Sequence, residues 1–334
     1  MKFPRFLSAG DAIGVTAPSF GVTDPTDINR FRNAIRRLEE RGYRVIETPD
    51  VYTADETGRS APADQRVREL YSLLADPAVA YIVSAKGGDY QHEMLLHMDW
   101  DLMSRSPKWI QGYSDNTVLL FKITTECDVA TIYGGNFGDY GMDPWHRSIT
   151  ENMEFVEGSR TSQTSFPYHE VGFADRVTGL EGLREEAPVE WVSPSGDVRF
   201  SGRLIGGCMD VLEWFHRKAT ADPRGFIRKY ADDGIVWYME TYDMDESRIS
   251  RMLNGMSDDG WFENVTGFVF GRPLFFKGED YIGTVCDALS GFDVPKVFGA
   301  DVGHKAPRMT FINGAVADFD VHGGSCELTY AFDS

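Results

Sequence analysis

Alternating strand and helix patterns in the first third of the chain constrain the fold more than any other sequence feature. Apolar runs at residues 12–17, 43–47 and 79–84 predict buried strands. Apolar residues recur at helical spacing between them, in 28–38 and 65–74, and predict helices. Strands and helices that alternate at this rhythm predict a parallel sheet covered on both faces, with sites at the carboxyl ends of its strands.

The pattern changes beyond residue 155. A stretch rich in Ser, Thr, Glu, Gly and Pro follows, which is typical of a linker or a functional loop. Further on, most apolar runs are β-like, with a few helices among them. We therefore predict an α/β protein with an N-terminal parallel-sheet α/β sandwich domain (1–155), a linker or active-site loop (156–200) and a more β-rich C-terminal domain (201–334).

Composition excludes several partners and compartments. The net charge is -19, from 33 Lys and Arg against 52 Asp and Glu, which argues against a nucleic-acid polymer or an anionic membrane as a partner. No apolar run is long enough to cross a membrane, and the N-terminus lacks the apolar core of a signal peptide. The four cysteines are far apart, and no metal-ligand motif is present. We expect a cytoplasmic protein without a metal or a cofactor.

A single serine lies where a strand pattern changes into a helix pattern. A β-like run ends at Gly112, and the polar residues 115–117 are suited to cap the amphipathic segment 118–126. Ser114 is thus predicted on a sharp turn beside free backbone N–H groups, as in α/β enzymes that use a nucleophilic serine. The spacing is not G-x-S-x-G, because Asn116 replaces the second glycine. A serine that only caps the helix is the alternative.

A nucleophilic serine needs a base, and the base needs an orienting acid. Among seven histidines, His304 stands apart because it follows an apolar strand and a glycine, a position that suits proton transfer. Glu240 ends the apolar run 235–239 and is the matching acid. The order Ser, Glu, His along the chain is that of the α/β-hydrolases. A hydrogen-bonded structural histidine and a turn-capping glutamate remain the alternatives.

Acyl transfer also needs N–H donors for the negatively charged oxygen of the intermediate. The amide of Asp115, directly after the serine, is one candidate. The amide of Gly88 is the other, because the pair Gly87 and Gly88 allows the backbone to approach a ligand closely. An ordinary tight turn at these glycines fits the spacing equally well.

Short motifs along the whole chain resemble one enzyme family. They are GDAIGVTAPS (10–19), KGG (86–88), PK (107–108), GYSDNT (112–117), YGG (133–135), GRLIGG (202–207), MET (239–241), GRP (271–273) and GHKAP (303–307). Each motif is modest, but their order is specific. The set resembles the LD-carboxypeptidase family of serine peptidases, which includes the microcin C resistance peptidases.

The resemblance implies roles for the residues found above. Ser114 would be the nucleophile, His304 the general base and Glu240 its orienting acid. The amides of Gly88 and Asp115 would form the oxyanion hole, with Gly87 beside the substrate. The resemblance also implies an active site at the interface of the two domains, no metal, and a homodimer.

Two substrate classes occur in that family. LD-carboxypeptidases remove the terminal D-alanine from murein tetrapeptides in cell-wall recycling, and the microcin-type enzymes cut the amide that joins a peptidyl aspartate to a nucleotide. Cys208 and the 155–200 segment resemble the microcin-type branch, in which a loop tryptophan stacks on the nucleotide base. This resemblance implies the stacking role for Trp191, the only tryptophan of the segment, with a hydrophobic anchor as the alternative. We expect microcin-C-like detoxification; a murein peptidase and a catalytically silent small-molecule-binding protein are the alternatives.

Overall fold

The computed structural model describes residues 1–332. Its strands are β1 (Ala12–Thr16), β2 (Arg44–Glu47), β3 (Val79–Ser84), β4 (Trp109–Gly112), β5 (Thr131–Tyr133), β6 (Ser162–Thr164), β7 (Tyr168–His169), β8 (Ala187–Pro188), β9 (Val198–Cys208), β10 (Ile235–Glu240), β11 (Val265–Gly271), β12 (Lys296–Ala300), β13 (Phe311–Asn313), β14 (Val316–His322) and β15 (Ser325–Ala331). Its α-helices are α1 (Pro25–Glu40), α2 (Ala63–Ala75), α3 (Trp100–Arg105), α4 (Thr117–Cys127), α5 (Arg147–Val156), α6 (Met209–Lys218), α7 (Arg224–Lys229), α8 (Glu246–Asp258) and α9 (Tyr281–Ala288). Short 3-10 helices span Pro49–Tyr52, Gln91–His97, Ser114–Asn116 and Phe137–Gly141.

The first sheet has the strand order β13-β5-β4-β3-β1-β2. All neighbours pair in parallel except β13, which runs antiparallel to β5. Every residue of β1 and β3 is buried, as expected for strands with helices on both faces of their sheet. The predicted parallel sheet of the N-terminal part is confirmed.

The second sheet has the strand order β12-β11-β10-β9-β14-β15-β6. Strands β9 to β12 are parallel, whereas β14, β15 and β6 pair antiparallel. In β15, buried and exposed residues alternate, which is typical of a strand with one face toward solvent. The expected fold class, an α/β N-terminal part with a more strand-rich C-terminal part, is confirmed.

Helix α4 lies between the two sheets and contacts β4 and β5 on one side and β9 on the other. Only Glu126 of this helix is exposed. The sequence pattern predicted an amphipathic helix, and this prediction is wrong because both sides of α4 are covered by protein. As a result, the residues at the start of α4 lie in the interior between the sheets.

The sheets do not follow the predicted division of the chain at every point. Strand β13, from the predicted C-terminal domain, joins the first sheet through Phe311 and Tyr133. Strand β6, from the predicted linker, pairs with β15 in the second sheet. The sheets thus do not test the boundaries at 155 and 200, which stay a prediction of where the chain divides into domains. Among residues 1–332, no helix combines the length and the apolar character needed to cross a membrane.

Candidate active site

Ser114 begins a 3-10 turn that links β4 to α4. Its φ angle is 64°, in the left-handed region that costs energy for a residue with a side chain. The turn is tight: a Cβ at Gly112 would lie 2.7 Å from Cγ of Asn116. The structure thus holds Ser114 in a strained position at the carboxyl end of a parallel strand, where strain is typical of functional residues.

The structure brings Ser114, His304 and Glu240 together from three separate elements. The Nε2 atom of His304 lies 2.9 Å from Oγ of Ser114, and Nδ1 lies 2.8 Å from Oε2 of Glu240. An ionised carboxylate only accepts hydrogen bonds, so Nδ1 donates the proton and Nε2 is left to accept from the serine hydroxyl. This is the arrangement in which a histidine removes the proton of a serine.

Glu240 ends β10 and is completely buried, and His304 is 4% exposed in the loop after β12. Gly303, with φ 103°, allows the loop to lie against the carboxylate, since a Cβ there would be 2.6 Å from Oε2 of Glu240. Burial by itself raises the pKa of Glu240, but His304 and the hydrogen bonds to the carboxylate bring this pKa below its ordinary value. The carboxylate is therefore ionised at neutral pH although protein surrounds it on every side.

Tyr133 is a member of the site that the sequence analysis did not identify. Its phenol donates a 2.6 Å hydrogen bond to Oε1 of Glu240 and accepts a 3.0 Å hydrogen bond from the N–H of Ser114. Burial and the charge of Glu240 raise its pKa well above the ordinary value, so it stays a donor. The signal that could have found it was its position in the YGG motif at the end of β5, next to β4 in the sheet.

The two residues whose amides are predicted to bind the oxyanion, Gly88 and Asp115, line the same cavity as Ser114. The N–H of Asp115 has no acceptor within its helix because it belongs to the first turn. Gly88 has φ 150°, and a Cβ there would lie 2.4 Å from Oγ of Ser19. A Cβ at Gly87 would lie 3.3 Å from Oγ of Ser114. Gly87 thus permits a close approach of the backbone to the Ser114 side chain, and Gly88 permits a close approach to the side chains of Ser19 and Phe20.

The side chain of Asp115 has a different role from the predicted one. It was expected to help cap α4, but its carboxylate accepts hydrogen bonds from the hydroxyl of Ser19, at 2.5 Å, and from the N–H of Gln91, at 2.9 Å. Helix α4 has no side-chain cap at its N-cap residue Asn116. The preceding 3-10 turn takes the place of a cap, and Asp115 instead ties the serine turn to the loops that follow β1 and β3.

A cavity of about 450 Å³ opens over Ser114 and His304. Aromatic side chains from several elements line it, among them Phe173, Trp214 and Tyr242. Phe173 comes from the irregular segment and is 59% exposed, with its ring centroid 6.5 Å from that of His304. No sequence motif surrounds Phe173, so only its aromatic character could have singled it out.

Trp191 lies outside this cavity. It is 1% exposed, and its indole N–H donates a 3.0 Å hydrogen bond to Oδ2 of Asp301. The next residue, Val192, pairs with Phe298 at the edge of the second sheet. With both ring faces covered, Trp191 has no surface on which a base could stack, and the stacking role implied for it is wrong in this structure. The alternative, a hydrophobic anchor for the segment, agrees with its burial.

Comparison with known proteins supplies the family. Two family models match the chain: the LD-carboxypeptidase N-terminal domain at residues 13–134 and the LD-carboxypeptidase C-terminal domain at residues 201–319. The microcin C7 self-immunity protein MccF of Escherichia coli is 24% identical over 97% of this chain and 94% of its own length. The "Probable murein peptide carboxypeptidase" of Bacillus subtilis is 24% identical over 94% of this chain and 90% of its own length.

A solved structure of MccF in complex with aspartyl sulfamoyl adenosine has the same fold. Its TM-score is 0.81 at 21% identity, with 99% of each chain covered. The two family models together match well over half of the residues and span the elements that carry Ser114, Glu240 and His304. The chain therefore belongs to the LD-carboxypeptidase family of peptidases.

Proposed function

We propose that this protein is a serine peptidase that hydrolyses an amide bond, with Ser114, His304 and Glu240 as its catalytic triad. One observation carries the proposal: an unbroken hydrogen-bonded chain runs from the serine hydroxyl through the imidazole to a buried, ionised carboxylate. The left-handed backbone of Ser114 supports it, because a serine that merely ends a loop has no need of such strain.

In the first half of the proposed reaction, Oγ of Ser114 attacks the carbonyl carbon while Nε2 of His304 takes its proton. Glu240 keeps the proton of the ring on Nδ1 and stabilises the imidazolium that forms. The negative charge that develops on the carbonyl oxygen is stabilised by the amides of Gly88 and Asp115. His304 then gives its proton to the departing amine, and an acyl-enzyme remains on Ser114.

In the second half, a water molecule takes the place of the amine. His304 removes a proton from this water, the resulting hydroxide attacks the acyl carbon, and the same two amides stabilise the second intermediate. Its collapse returns the proton from His304 to Oγ of Ser114 and releases the acid. Each proton is moved by the one imidazole, which Glu240 holds in place throughout.

The proposed substrate is a microcin-C-like conjugate of an amino acid or peptide with a nucleotide. Phe173, Trp214 and Tyr242 support this choice, since aromatic faces in a cleft suit a flat base. The aspartyl sulfamoyl adenosine in the MccF structure is a molecule of this chemical type. The alternative is a murein tetrapeptide, favoured by the B. subtilis relative at the same 24% identity.

The test compares two substrates by mass spectrometry. Purified protein is incubated with a murein tetrapeptide or with an aspartyl adenylate amide, and the Ser114→Ala variant serves as the control for each. Cleavage of the nucleotide conjugate alone would support the proposed substrate. Release of D-alanine alone would assign the chain to cell-wall recycling. If neither is cut, or if Ser114→Ala is as active as wild type, the proposed function is wrong.

A further inference from the structure

A second cavity, of about 310 Å³, lies next to the catalytic cleft. The two cavities share six lining residues, among them Lys86, Phe173 and His304, whereas Ser114 and Asp115 line only the first. In the proposed mechanism, the imidazole passes its proton to the departing amine, so that amine leaves on the histidine side of the site. The second cavity is therefore placed to hold a charged group of the leaving molecule, whose flat base would lie against the aromatic residues of the first cavity.

Positive charge exceeds negative charge in the wall of this cavity. Four basic residues line it, Arg30, Lys86, Arg176 and Arg308, against three acidic residues, Asp27, Asp139 and Glu170. This is a local reversal in a chain whose net charge is -19. Such a reversal inside a cleft concentrates anions there.

Two of these cations have carboxylate partners. Lys86 lies 2.7 Å from Asp27, and Arg308 lies 3.0 Å from Asp139. The remaining acid, Glu170, accepts a hydrogen bond from the backbone of Arg184, and burial raises its pKa. The members of each ion pair neutralise one another, and Arg30 and Arg176 remain against the single carboxyl of Glu170.

Arg30 is a buried cation without a carboxylate partner within residues 1–332. It is 1% exposed, and its hydrogen bonds go to backbone carbonyls: Nε to Gly138, and Nη1 to Gly179 and Glu181. Its Nη2 atom has no hydrogen-bond partner in the same part of the chain. A buried charge with an unsatisfied donor is costly, and an anion in the cavity would remove that cost.

Arg176 lines the same cavity from the irregular segment and is exposed. Its guanidinium forms no ion pair with any acid of the part of the chain described here, unlike Lys86 and Arg308. Burial, followed by the positive charge of Arg176, lowers the pKa of Arg30 to about 10. Two guanidinium groups that repel each other across a cavity are stabilised together by one anion between them.

We propose that Arg30 and Arg176 form an anion subsite in the second cavity that binds a negatively charged group of the leaving molecule. Its position on the leaving-group side rests on the proposed function. The shared chemistry is a small group of charged oxygens, as in the free carboxylate of a peptide or the phosphate of a nucleotide. Arginine binds both through paired N–H donors.

The test measures binding without turnover, in the Ser114→Ala background. The probes for titration calorimetry are a murein tetrapeptide with a free terminal carboxylate, the same peptide as its terminal amide, and AMP. Arg176→Gln is compared with Arg184→Gln, a control in the same segment. Arg184 is exposed, lies 2.9 Å from Glu186 and does not line the cavity. The melting temperature of every variant is recorded to exclude misfolding.

Arg176→Gln is expected to weaken binding of an anionic probe by about tenfold to a hundredfold, the range for hydrogen bonds to charged groups. The amide peptide and the Arg184→Gln control should show no such loss. A loss for the carboxylate peptide alone identifies a carboxylate subsite, and a loss for AMP alone identifies a phosphate subsite.

The proposal is overturned if Arg176→Gln leaves the binding of both anionic probes unchanged, or if none of the three probes binds. Because calorimetry needs no catalysis, these outcomes are independent of whether the wild type hydrolyses either substrate. A protein that binds the probes through Arg176 but cuts nothing would retain the subsite and lose the proposed function.

Discussion

The phenol of Tyr133 donates a hydrogen bond to Oε1 of Glu240, and the other carboxylate oxygen of Glu240 faces His304. The two residues come from β5 of the first sheet and β10 of the second. The carboxylate that orients the imidazole is thus itself held by a group across the interface between the sheets. Tyr133 also accepts the N–H of Ser114, so it links both ends of the proposed triad.

Tyr133→Phe should lower kcat by about tenfold to a hundredfold with little change in KM, because a hydrogen bond to a charged group contributes about 1.5–3 kcal/mol. Steady-state kinetics on the substrate identified by mass spectrometry measures this. Tyr43→Phe is a matched control, since it removes a tyrosine–glutamate hydrogen bond of the same 2.6 Å length far from the cleft. Equal activity of the two variants would contradict a positioning role for Tyr133.

Ser114→Ala should lower kcat by about a thousandfold or more, since only binding and oxyanion stabilisation would remain. Ser114→Gly should be more stable than Ser114→Ala by about 0.5–1 kcal/mol, because glycine adopts the left-handed backbone without strain. Urea unfolding measures the difference. Ser72 is exposed within α2 and serves as the control position. There, Ser72→Ala should be more stable than Ser72→Gly, because glycine destabilises a helix interior. The same order at both positions would exclude strain at Ser114.

The lowered pKa of Glu240 predicts an acid-sensitive contribution to stability. A carboxyl whose pKa is depressed in the folded state contributes stability above its unfolded pKa, about 4.3, and loses it as pH falls through the folded pKa. The free energy of unfolding of wild type should therefore fall faster than that of Glu240→Gln as the pH drops below this range. Urea titrations over a series of acid pH values test this. Parallel pH profiles would mean that the carboxylate is not stabilised in the folded state.

Gly88→Ala should lower kcat by about a hundredfold to a thousandfold, the usual cost of losing one oxyanion donor. The added Cβ would collide with Ser19 and Phe20, at 2.4 and 2.7 Å, and shift the amide away from the serine. Gly291→Ala is the control, because a Cβ added at Gly291 would meet no atom within 4 Å among residues 1–332. An unchanged kcat in Gly88→Ala would show that the amide of Gly88 does not bind the oxyanion.

Trp191→Phe should destabilise the fold by about 1–3 kcal/mol and leave KM unchanged, because its buried N–H is bonded to Asp301 and its ring does not line the cleft. Phe173→Ala should instead raise KM without loss of stability, since Phe173 is exposed in the cleft. Thermal unfolding and steady-state kinetics separate the two effects. A raised KM in Trp191→Phe would contradict this expectation and support a stacking role for Trp191.

Local patterns in the sequence were sufficient for the elements around the site. The spacing of apolar residues and the positions of turn residues predicted β1, β3 and the turn between β4 and α4 that carries Ser114. These features depend only on neighbours within a few residues along the chain. The same patterns singled out Ser114, Glu240 and His304, each at the end of an apolar run. Spacing along the chain could not say that they meet, since Ser114 and His304 are 190 residues apart.

Tertiary structure alone decided the contacts between the sheets. Tyr133 contacts Glu240 because α4 packs against β5 on one side and against β9 of the second sheet on the other, and no local pattern encodes that distance. The burial of α4 and Trp191 likewise depends on what covers them, which a periodic pattern does not describe. The sequence determined which residues lie at the carboxyl ends of the strands, and packing of the two sheets determined which of those residues form hydrogen bonds with one another.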